Sequence, residues 1–79
     1  MVHVYANLLG TWTDLSTDSN AVIGNHHQRP DVWWNNGAEM WNPNSMTQEN
    51  TLYQQPYVMV SYHDVIYRVF PSQIQVVEK

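Results

Sequence analysis

Four histidines, His3, His26, His27 and His63, share a 79-residue chain with seven carboxylates, so the first question is whether any of them do chemistry. A structural zinc needs about four Cys or His ligands converging at tight spacing. The chain has no cysteine, and adjacent His26 and His27 do not have the spacing at which two imidazoles share one ion. Both read as exposed or capping side chains, and no metal is expected. His63-Asp64 sets an imidazole beside a carboxylate, the pairing that orients a general base. Neighbours at a turn point apart, however, and acid–base catalysis needs a pocket that excludes water. A turn is the expectation there. Asp14, Ser16, Asp18 and Asn20 alternate as the oxygen ligands of a calcium loop do. The loop's glycine position holds Ser19 and its bidentate glutamate position holds Asn25, so the stretch reads as a polar loop. Nucleophile elbows, phosphate-binding glycine loops and HExxH are missing from the sequence. The expectation is a protein that is not an enzyme and carries no cofactor.

The remaining chemistry is aromatic. Trp, Tyr and Phe make up 13% of the chain, and the stretch DVWWNNGAEMW, residues 31–41, holds three of its four tryptophans. Rings of this size bury about 150–250 Å² each and fill small cores efficiently. They also dominate binding hot spots when left at a surface.

These side chains must be positioned by short elements. VHVYANLL alternates, with Val2, Val4, Ala6 and Leu8 on one side, and reads as a strand closed by Gly10. TWT continues extended. DLSTDSN is a run of turn formers, and AVIG is a short apolar burst before a polar loop ending at Pro30. In 31–41, Asn36-Gly37 predicts a two-residue hairpin turn. That register pairs Trp34 with Glu39, Trp33 with Met40 and Val32 with Trp41. Neighbouring ribbon positions face opposite ways, so Trp33 and Trp34 are expected on opposite faces, with one left outside the core. NPNSMTQEN reads as loop, with one short helical turn around Ser45 to Glu49. In YVMVSYHDVIYRVF a turn at His63-Asp64 opposes Tyr62 to Val65, Val60 to Tyr67 and Val58 to Val69, a face expected to be core. Tyr57 and Phe70 fall on the opposite face. A Pro-Ser-Gln turn then leads into a last strand, with Ile74 and Val76 inward.

Length and charge set the outer limits. The chain is expected to form one domain over residues 1–79 with a single modest core. Only Arg29, Arg68 and Lys79 are basic, and the net charge is −4. Gripping a phosphate backbone takes clustered Lys and Arg, so nucleic acid is not an expected ligand. The same sign argument disfavours an anionic membrane surface, and no apolar run spans a bilayer. The first ten residues lack a basic start and a long apolar run, so a cytoplasmic protein that keeps its own start is expected.

The segment YRVFPSQIQVV, residues 67–77, resembles the end of Src-homology-three-like small β-barrels. There a strand meets a Pro-Ser turn and passes into a short final strand. Trp33-Trp34 is similar to the Trp pair that opens a central strand of that family. The resemblance implies a barrel and makes Trp33 a contact residue. The family's groove tyrosine, two residues past Pro-Ser, is replaced by Gln73-Ile74, and its acidic specificity loop is not recognisable. Recognition of proline-rich peptides is therefore not implied.

The expected fold is all-β, a five- to six-stranded Src-homology-three-like barrel with two long polar loops, 14–30 and 42–55. The expected function is non-catalytic binding of another protein through an aromatic surface of Trp33, Trp34, Trp41, Tyr53 and Tyr57. Burial of that patch in a homodimer is the rival use. An adaptor or inhibitor would have this character, which is similar to that of small phage-encoded inhibitors of bacterial defence systems. The alternative is a small-ligand binder that stacks a sugar or a nucleotide-like molecule on tryptophan.

Overall fold

The computed structural model describes residues 1–42 and 55–79. Two antiparallel three-stranded sheets and one short helix make up its regular structure. In the first sheet, β1 (Val2–Leu8) lies between β2 (Thr11–Asp14) and the final strand of the chain. Leu9 and Gly10 turn β1 into β2 with φ of 54° and 91°, and the ladder runs from Leu8↔Thr11 to Tyr5↔Asp14. The second sheet has the order β3 (Val22–Ile23), β4 (Val58–Tyr62), β5 (Val65–Val69). A 3₁₀ turn, Pro71–Gln73, carries β5 into β6 (Ile74–Glu78). There β6 pairs with β1, from Val2↔Glu78 to Ala6↔Ile74. Hydrogen bonding does not close the two sheets into a barrel among the described residues.

The β4–β5 register, Tyr62↔Val65, Val60↔Tyr67 and Val58↔Val69, is the one the sequence predicts. Both His63 and Asp64 have positive φ, 50° and 64°, the geometry of a two-residue hairpin turn whose twist matches the strands. Val58, Val60 and Val69 are buried on this face. Val65, expected in the core, is 48% exposed, next to the turn at His63-Asp64.

One core unites the sheets. Val4, Ala6 and Leu8 of β1 pack with Ile23, Val58, Val60, Val69 and Trp33, and Ile74 and Val76 cover its margin. Residues 14–30 contribute to this core and are not the polar excursion that the sequence suggests. Leu15, Ala21 and Ile23 are among the most deeply buried side chains. The Asp14 carboxylate caps a 3₁₀ turn, Leu15–Thr17, by accepting the Ser16 N–H at 3.0 Å. The Ser16 hydroxyl accepts the Val4 N–H at 3.1 Å, so the turn docks on β1 and drives Leu15 inward. The turn formers in DLSTDSN thus position an apolar residue rather than fill a solvent loop.

The largest departure from the sequence expectation lies at 31–41. No hairpin forms. Pro30–Asn35 is a helix, α1. Proline at the first helical position lacks an N–H that would be unpaired there, and its φ is already helical. Asp31 in the first turn suits the positive end of the helix. Asn36-Gly37 ends the helix. Asn36 has φ −98°, outside the left-handed region, and Gly37 has φ +105°. Ala38 N–H bonds Trp33 O at 2.8 Å, and Gly37 N–H lies 3.4 Å from Trp34 O. This is a Schellman cap with glycine at the first position past the helix. The expected pairs of Trp34 with Glu39, Trp33 with Met40 and Val32 with Trp41 do not exist. Trp41 instead bridges to Tyr57, with Trp41 N–H to Tyr57 O at 2.8 Å and the return bond at 3.1 Å. The expected helical turn at Ser45 to Glu49, and most of the second polar loop, lie outside the described residues.

The burial of Leu15 gives a direct check. Leu15→Ala is expected to cost about 2–5 kcal/mol, the range for emptying a packed leucine site, as read from urea unfolding. A loss below ~1 kcal/mol would mean that 14–30 is a surface excursion after all.

Candidate functional site

Helix geometry now decides which tryptophan is inside. Successive residues on a helix are about 100° apart, and Trp33 and Trp34 diverge for that reason rather than through strand alternation. Trp33 is 3% exposed and Trp34 is 44% exposed. Their ring centroids are 6.5 Å apart with planes tilted by 45°. The Trp33 indole is fixed at both ends. Its Nε1–H donates to Glu39 O at 2.8 Å. Its Cδ1 edge lies so close to Gly24 that a Cβ built there would sit 2.6 Å away. Gly24 also has φ +85°, so the position is restricted by backbone and by space together.

An apolar groove of about 230 Å³ opens beside this indole. From α1 come Trp33 and Trp34, and the segment after it adds Ala38 and Met40. Val58 of β4 forms part of the floor, and Pro71, Ile74 and Val76 form the far wall. The two stretches that carry the barrel resemblance, Trp33-Trp34 and the Pro-Ser turn with its strand, therefore meet at one place. Pairing of the Trp33 N–H with its own chain leaves that residue only its ring to offer a ligand.

Trp41 and Tyr57 flank the groove in the sequence, next to Met40 and Val58. Their rings stack on each other, with centroids 5.2 Å apart and planes at 26°. The Arg68 guanidinium lies 4.8 Å from the Tyr57 ring centroid, a cation–π contact. Of the five residues expected at a binding surface, the structure places Trp33 and Trp34 in the groove and Trp41 with Tyr57 in a neighbouring stack. Tyr53 lies outside the described residues. The sequence reading missed Pro71 and Met40 as lining residues, and it placed Val58, Ile74 and Val76 in the core alone. Only the fold brings these residues to one rim.

The ionisable groups act as ties. His26 Nδ1 lies 2.7 and 2.8 Å from the two Glu39 carboxylate oxygens, and its backbone N–H donates to Oε1 at 3.0 Å. The His26 side-chain hydrogen bond, followed by the backbone bonds and the imidazole's charge, holds the Glu39 carboxyl below the usual glutamate range. Glu39 thus joins a surface clasp to the carbonyl that holds Trp33. His3 Nδ1 meets Asp14 Oδ2 at 2.8 Å, and His63 Nε2 meets Asp18 Oδ2 at 2.9 Å. His63 pairs with Asp18 across the fold, not with its neighbour Asp64, and stacks on Tyr62 at 4.0 Å between centroids.

A second, polar cleft of about 310 Å³ lies here, lined by Asp18, Asn20, Ser61, His63 and Asp64. Asp18 uses one oxygen on His63 and the other on the Asn20 N–H at 2.8 Å. The imidazole is 69% exposed, so water reaches the pair. The side-chain oxygens of Asp14, Ser16 and Asp18 meet backbone N–H groups and histidines, and no group of three His, Asp or Glu side chains among the described residues could hold a metal. No helix among the described residues is long and apolar enough to cross a membrane.

Fold and site together define a small all-β protein with an apolar groove under an exposed tryptophan. Comparison of the chain with protein-family models, with curated proteins and with solved structures gives no match.

Two measurements check this geometry. Gly24→Ala should displace the Trp33 indole, costing about 1–3 kcal/mol for overpacking and weakening the near-ultraviolet circular dichroism of tryptophan. An unchanged spectrum would show that the contact is not tight. A carboxylate held below its usual range contributes stability above that range and loses it as pH falls through the depressed value. The stability advantage of the native chain over Glu39→Gln is therefore expected at mildly acidic pH and should shrink below the ordinary glutamate range. A gap of constant size down to that acidity would show that the clasp is not linked to protons.

Proposed function

We propose that the chain is a non-catalytic binding protein, of the adaptor or inhibitor type, that takes an apolar side chain of a protein partner into the groove between α1 and β6. The observation that carries this reading is Trp34. It stands 44% exposed at the mouth of an apolar groove, while the tryptophan next to it is buried and hydrogen-bonded. Tryptophan is among the side chains that most often carry binding energy when a partner buries them beside a pocket. The cavity needs no motion of the core to admit one side chain.

The same residues weigh against the small-ligand alternative. Trp41 and Tyr57 stack on each other, and Arg68 covers Tyr57, so those faces are not open for a sugar or a base. The groove is apolar, and the indole N–H that would meet a hydroxyl is paired. A polar ligand would lose hydrogen bonds to water there without replacement.

For the fold, we read the two sheets as the halves of an open Src-homology-three-like barrel. The strand orders β2-β1-β6 and β3-β4-β5, and the 3₁₀ turn that passes β5 into β6, support that reading.

Trp34→Ala tests the function, because the side chain is outside the core and its removal should leave the urea midpoint nearly unchanged. Affinity for a protein captured by the native chain should fall by at least ~2 kcal/mol, about thirtyfold in Kd. Undiminished binding, or a tryptophan spectral response to sugars or nucleotides with no protein captured, would overturn the proposal.

A further inference from the structure

The side-chain charges of α1 and β6, the elements that form the groove, are one-sided, Asp31 on one and Glu78 on the other. All three Lys and Arg side chains of the chain are engaged by its own atoms. Arg29 Nη1 donates to Ser19 O at 2.7 Å, Lys79 Nζ donates to the Tyr5 hydroxyl at 2.7 Å, and Arg68 lies over Tyr57. Asp14, Asp18 and Glu39 are each paired with a histidine. Asp31, Asp64 and Glu78 make no ion pair among the described residues. Asp64 belongs to the polar cleft. The other two belong to the two elements, α1 and β6, that contribute residues to opposite sides of the groove. Asp31 is one helical turn before Trp34 on α1, the spacing at which side chains are neighbours. Glu78 follows Val76 by two residues on β6, so it shares the face of Ile74 and Val76.

We infer that the occupant of the groove is a segment of a partner protein in which one bulky apolar residue is flanked by lysine or arginine. This rests on the protein-binding reading and adds the chemistry of the partner. The inserted group must be apolar because the lining gives it almost nothing to hydrogen-bond. The flanking groups must be basic because α1 and β6 each carry a carboxylate that makes no ion pair among the described residues. A second copy of this chain would set acidic rim against acidic rim, which disfavours self-association. Phosphate backbones and anionic lipid surfaces meet the same repulsion.

The test uses the full chain and short synthetic peptides with a central leucine, phenylalanine or tryptophan flanked by lysines, by glutamines or by glutamates. Binding is read from the peptide's fluorescence anisotropy, with sedimentation of the free protein run in parallel. The lysine series should bind about fivefold tighter than the glutamine series, as two exposed charge pairs allow, and the glutamate series should bind weakest. Added salt should flatten that order, and so should Asp31→Asn combined with Glu78→Gln, which leaves the apolar lining intact. Equal affinities across the three series, or an order that survives the double substitution, would overturn the charge inference and leave the groove reading standing. No binding by any series would overturn both. A concentration-dependent dimer that Trp34→Ala dissolves would identify a second copy as the occupant and overturn the inference.

Discussion

Burial of the Trp33 indole is the constraint on which the rest of the site depends. The ring enters the core between the sheets, and two backbone features make room for it. Gly24 lets the indole edge approach to where any side chain would collide, and the Glu39 carbonyl satisfies the one polar atom that burial would otherwise strand. An unpaired indole N–H in an apolar interior costs on the order of 1–3 kcal/mol, so the chain after α1 must return to supply that carbonyl. The return is sharp, and the Schellman cap at Gly37, with Ala38 also at positive φ of 53°, produces it. Once Trp33 is fixed, the orientation of α1 is fixed, and Trp34 has no place but the rim.

The protein joins its segments with imidazole–carboxylate pairs in place of cross-links or lysine pairs. There is no cysteine and there are few basic residues. His3–Asp14 joins β1 to the end of β2. His63–Asp18 joins the β4–β5 turn to the approach to β3, and His26–Glu39 joins the loop after β3 to the chain beyond α1. Each pair is at least partly exposed, and exposed pairs contribute little individually. Their value is placement. The third pair sets the carboxylate end of the residue whose carbonyl holds Trp33, so surface electrostatics and core packing meet in one amino acid. The same choice leaves α1 and β6 each with a carboxylate that makes no ion pair among the described residues.

The groove exists because β6 belongs to the first sheet and β4 to the second. The Pro71–Gln73 turn passes the chain between them, and residues of α1 and β6 line the groove together. Ile74 and Val76 pack on the core and yet stay partly open, as residues at the margin between two sheets do. A binding surface of this kind needs no catalytic geometry. It needs a rigid apolar floor, a ring at the edge, and charges that choose among partners.

Much of this was legible in the sequence. Alternation in VHVYANLL put Val4, Ala6 and Leu8 on one face, the face that the structure buries. The register of β4 with β5 followed from His63-Asp64, and the Pro-Ser-Gln turn was visible as itself. These are local signals, decided by side-chain period and by which residues tolerate positive φ. The stretch 30–37 was locally ambiguous. Pro30, Asp31 and Gly37 mark a helix of that length, while Asn36-Gly37 between apolar residues marks a hairpin, because glycine at positive φ serves both a helix cap and a hairpin turn. Leu15 was hidden for a related reason, since turn formers on both sides of it spoke for a solvent loop. The sequence by itself determined β1, β4, β5 and β6, the turns at His63-Asp64 and Pro71–Gln73, and the acidic balance, all of which depend on neighbours within a few positions. The tertiary structure alone decided that 30–35 is helical, which tryptophan is buried, and that β6 and α1 form one groove. Those outcomes depend on contacts between residues far apart in the chain, whose free energy no local pattern contains.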